Sequence, residues 1–66
     1  MTYDKAVHYI NNPRIVQAIK QADEPRLKAW LVSLNEELEF RYPKGEGAYP
    51  IRYVAEKYLI EARLRK

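Results

Sequence analysis

Sixty-six residues, a net charge of +3 and no cysteine leave room for one small domain and rule out disulfides and thiolate metal sites. A chain this short buries only about 60% of the surface its unfolded form exposes, so tight helix packing or self-association must supply its stability. The hydrophobic fraction of 47% is that of a globular chain. The longest apolar run, Ala29 to Val32, falls far short of the roughly 20 residues a membrane span requires.

The charge is segregated. Residues 1–30 carry five basic and three acidic groups (+2), residues 31–49 two and four (−2), and residues 50–66 five and two (+3). A uniform polyanion-binding surface is not patterned in this way. Asp4 and Lys5 stand where a secretory leader would be apolar, so the chain reads as cytoplasmic from Met1 onward.

Four prolines, Pro13, Pro25, Pro43 and Pro50, fall at places where helices begin or end. The first helix is predicted over about residues 2–11, with Thr2 as its cap and Tyr3, Ala6, Val7 and Ile10 on one face. Asn12 and Pro13 open a second, residues 13–22, whose apolar face is Ile15, Ala18, Ile19 and Ala22. Asp23 before Glu24-Pro25 repeats the device for a third, residues 24–41, striped by Leu27, Trp30, Leu31, Leu34 and Leu38. Glu36, Glu37 and Glu39 crowd the C-terminal end of that helix against its dipole, which favours a fourth helix folding back with its positive start alongside.

Between the last two lies a loop, residues 42–50, with both glycines and two Tyr-Pro pairs. The fourth helix, residues 50–66, carries apolar groups on two faces. At about 100° per residue, Ile51, Val54, Ala55, Tyr58 and Ala62 share one face with Leu59 at its margin. Tyr53, Ile60 and Leu64 lie nearly opposite, with the methylenes of Lys57 among them. The expected fold is therefore all-α, a compact four-helix domain with the last two helices as an antiparallel hairpin. The alternation of Leu38 to Tyr42 and of Tyr49 to Tyr53 supports an α+β alternative, a β-hairpin at 38–42/49–53, in which Pro50 would confine the second strand to an edge.

No catalytic constellation is readable. His8, the single histidine, has Asp4 four residues before it but no nucleophile, so a surface pair is the plainer reading. The acidic patch Glu36, Glu37 and Glu39 lacks the Glu-x-x-His spacing of helical metal sites and reads as a solvated face. Gly45-Glu46-Gly47 lacks the Gly-Lys-Ser/Thr ending of a phosphate loop. The second and third helices, with Gln21-Ala22-Asp23 as the turn, suit a helix-turn-helix poorly, since Asp23 and Glu24 would repel phosphate beside Arg26 and Lys28. Arg52, Arg63, Arg65 and Lys66, with Tyr53 to stack, form a basic C-terminal candidate for nucleic acid, against the plainer reading that cations complement the helix dipole.

Six tyrosines and an uncommitted apolar stripe point instead to binding of protein. The expectation is a non-enzymatic module of the regulator or inhibitor type, without cofactor or metal, acting on a protein partner or on itself as a homodimer. Its surface is predicted to comprise Val32, Phe40, Tyr53, Lys57, Ile60 and Leu64, with nucleic-acid binding through the basic tail as the alternative.

Overall fold

The computed structural model describes residues 1–65. They form four helices: α1 (Tyr3–Ile10), α2 (Pro13–Gln21), α3 (Glu24–Arg41) and α4 (Ile51–Leu64). A short 3-10 turn, Glu46–Ala48, interrupts the connection between α3 and α4. The radius of gyration, 11.4 Å, is close to the value of about 10.8 Å expected of a compact chain this long.

Local chemistry sets the first three helix starts. The Thr2 hydroxyl accepts from the Lys5 amide at 3.3 Å, the Asn12 side chain from the Arg14 amide at 3.1 Å, and the Asp23 carboxylate from the Arg26 amide at 3.2 Å. Each satisfies one amide that the first helical turn leaves without a partner. Pro13 and Pro25 occupy first-turn positions, where a missing amide proton costs nothing. Asn11 ends α1 in the left-handed region (φ 48°), one of the few side chains that tolerate it.

No strand occurs among the described residues, and the hairpin alternative at 38–42/49–53 is thereby overturned. Leu38, 2% exposed, is the last member of the α3 leucine stripe, so its burial holds residues 38–41 in the helix. Pro50 immediately precedes α4 and serves as its N-cap residue.

The core contains Ala6 and Ile10 of α1, Val16 and Ile19 of α2, Leu27, Leu34 and Leu38 of α3, and Ala55, Leu59 and Ile60 of α4. α4 packs against all three other helices, most extensively against α1, and folds back along α3. In α1 the predicted face turns slightly: Tyr3 remains about half exposed, and the Lys20 ammonium lies 5.9 Å from its ring centre. In α2, Val16 rather than Ala18 points inward. Ile51, placed on the inner face of α4 by its spacing, is 50% exposed.

Candidate protein-binding surface

The six residues predicted to bind protein do not form one surface. Ile60 is fully buried, a core residue and not the docking residue that its spacing suggests. The reason lies in where α4 faces. At about 100° per residue, Glu56 and Arg63 project between the two apolar stripes, and Leu59 and Ile60 flank them. That charged-looking arc is the inner one. Glu56 is only 9% exposed and Leu59 2%. Tyr53, Lys57 and Leu64 are half-buried beside it, with Tyr53 and Leu64 packed on the core. Lys57 is drawn to the preceding loop, its ammonium 3.3 Å from the Glu46 carboxylate.

Both charged groups on the inner arc have structural partners. The Trp30 indole N–H donates to the Glu56 carboxylate at 3.0 Å, tying α3 to α4. Burial pushes the Glu56 carboxyl above its ordinary value of 4.5, while the Trp30 hydrogen bond and the Arg52 guanidinium pull it back in part. The Arg63 guanidinium donates to the Ile19 carbonyl and, at 2.6 Å, to the Lys20 carbonyl. It thus satisfies the carbonyls that the end of α2 leaves open.

The basic tail is correspondingly depleted as a nucleic-acid site. Arg63 is committed to α2. Arg52 lies over the Tyr53 ring, 4.7 Å from its centre, and donates to the Tyr53 hydroxyl at 2.8 Å. Arg65 is exposed, and Lys66 lies outside the described residues.

What is exposed is the outer side of α3. Its inner side buries Leu27, Leu34 and Leu38 and half-buries Trp30 and Leu31. On the other side Ala29, Val32, Ser33, Glu36, Glu37 and Phe40 all face water. Phe40 is 87% exposed and Val32 56%, the two most exposed large apolar side chains of the molecule among the described residues. The acidic patch borders them: Glu36, Glu37 and Glu39 are exposed, and Glu37 pairs within the helix with Arg41 at 2.9 Å. That pairing eases the dipole conflict at the end of α3 from within. No group of three His, Cys, Asp or Glu side chains among the described residues is placed to hold a metal ion.

One further concavity, of about 430 Å³, lies between the 3-10 turn and α4, walled by Tyr49, Val54 and Tyr58 and edged by Glu46, Lys57 and Glu61. His8 is exposed on α1, its ring 5.8 Å from that of Tyr9. No helix among the described residues is long and apolar enough to cross a membrane. Comparison with family models, curated proteins and solved structures found no match.

Proposed function

We propose that this chain is a protein-binding module of the small regulator or inhibitor type, working through the outer face of α3 and pairing there with a second copy. The observation that carries this reading is Phe40. A phenylalanine 87% exposed on a well-formed helix, with Val32 two turns before it, is apolar surface that the fold itself does not use. Isolated exposed apolar groups are ordinary. Here the aromatic stands on the same flank as a β-branched neighbour and beside an acidic border, the composition of a small interface with a polar rim.

The magnitudes describe a weak association. Fully burying a phenylalanine or valine yields about 1.5–3 kcal/mol, so two copies of Phe40 and of Val32, the latter already nearly half covered and at the margin of the face, supply at most roughly 6–12 kcal/mol, against an association cost of about 4–15 kcal/mol. The most favourable balance is about 8 kcal/mol, so the dissociation constant is about 1 µM at the tightest. In sedimentation velocity from roughly 10 µM to 1 mM, the span over which such a balance becomes visible, the wild-type coefficient should climb with concentration. Phe40→Glu should stay at the monomer value throughout with an unchanged circular dichroism spectrum. A wild type that remains monomeric across this range ends the self-pairing reading.

A further inference from the structure

We infer that the outer face of α3 docks antiparallel on the same face of a second copy, with the two-fold axis at Ser33. The inference rests on the self-association reading above and gives it a geometry. The exposed residues Arg26, Ala29, Ser33, Glu36 and Phe40 follow one another at spacings of three, four, three and four. That spacing keeps the five on one side of the helix, a seam with Ala29 and Phe40 as its apolar members. α3 has 18 residues, a length of about 27 Å, so the seam runs along most of the helix.

The seam is self-complementary in one direction only. Turned end over end about Ser33, it brings Phe40 onto Arg26 of the second copy and Glu36 onto Ala29. The Arg26 guanidinium makes no ion pair among the described residues and is open to stack on the ring. Small residues at Ala29 and Ser33 let the backbones approach, as a shallow crossing between two helices requires. Residues 24–32 carry Arg26 and Lys28 against Glu24 (+1), and residues 33–41 carry Glu36, Glu37 and Glu39 against Arg41 (−2). The antiparallel arrangement sets the positive half on the negative half and opposes the helix dipoles. A parallel pair in register would stack Glu36 on Glu36 and Arg26 on Arg26.

The absence of native cysteine makes this directly testable by single-thiol crosslinking. Under mild oxidation of the full chain, Ser33→Cys should form disulfide dimers faster than Lys44→Cys, a control on the exposed loop, by about tenfold, the gain given by a raised local concentration. Ala29→Cys should crosslink no faster than the control, because the two thiols would stand roughly 12 Å apart along the axis. If the protein associates but Ser33→Cys crosslinks at the control rate, the antiparallel geometry is overturned while self-pairing stands. Equal, fast crosslinking by Ala29→Cys and Ser33→Cys overturns it in favour of a parallel pair. A wild type that sediments as a monomer removes both.

Discussion

Replacing Glu56 by glutamine keeps the acceptor that the Trp30 indole uses and removes a charge the fold holds nearly out of water. Because burial raises this carboxyl above 4.5, the folded chain holds the proton more tightly than the unfolded chain does. Its contribution is therefore most favourable below the unfolded value and is lost as pH rises through the raised folded value. Glu56→Gln should melt near the wild-type temperature at about pH 4 and above it at about pH 7, the difference growing across the window in which only the wild type must ionise. Thermal melts followed by circular dichroism test this, and a stability difference that does not grow between the two pH values would refute it. Glu56→Ala should instead destabilise by about 1–3 kcal/mol, since it strands the half-buried indole N–H. Trp30 is the only tryptophan, so its fluorescence reports on the same titration without a label.

At the scale of the elements, Arg63 serves α2 rather than its own helix. Arg63→Ala removes a charged donor from two terminal carbonyls, Ile19 and Lys20, and should cost about 1.5–3 kcal/mol in urea unfolding, the range for hydrogen bonds to charged groups. Arg63→Lys should recover only part of it, because an ammonium lacks the planar fork. A loss below 0.5 kcal/mol, the scale of an ordinary surface change, would show the contact to be incidental. This residue also marks where sequence reading succeeds and fails. The starts of α1, α2 and α3 are legible because a cap is a contact between residues two or three apart, as with Thr2, Asn12 and Asp23. The inner arc of α4 is not legible, because it passes through Glu56 and Arg63. Hydropathy places both in water, whereas their partners, Trp30 and the end of α2, lie 26 and 43–44 residues away. With that arc inward, Ile60 lies in the core. Phe40 and Val32 fall outside the leucine stripe of α3, a pattern within one helix, and both are exposed.

The whole molecule depends on α4 more than its position at the end of the chain suggests, since every other helix packs against it. By the usual scale of about 0.05–0.15 kcal/mol per residue, a chain of 66 residues has roughly 3–10 kcal/mol of stability in total. Ile60 is fully enclosed, so Ile60→Ala both loses transfer energy and leaves a cavity, at a cost of about 2–5 kcal/mol. That is a large share of the whole. Urea unfolding at neutral pH should show the Ile60→Ala midpoint far below wild type, with part of the chain already unfolded at the lowest denaturant. Ile51→Ala, on the same helix but half exposed, should cost only around 1 kcal/mol or less. Because Phe40 projects into solvent, Phe40→Glu should leave the midpoint near that of the wild-type monomer. Folding and association are then separable by substitution: position 60 reads the first and position 40 the second. It also follows that a charge at position 60 would abolish self-pairing by unfolding the chain, and would say nothing about which face docks. If Ile60→Ala and Ile51→Ala lowered the midpoint equally, the inner arc of α4 would not run through position 60 and past position 51.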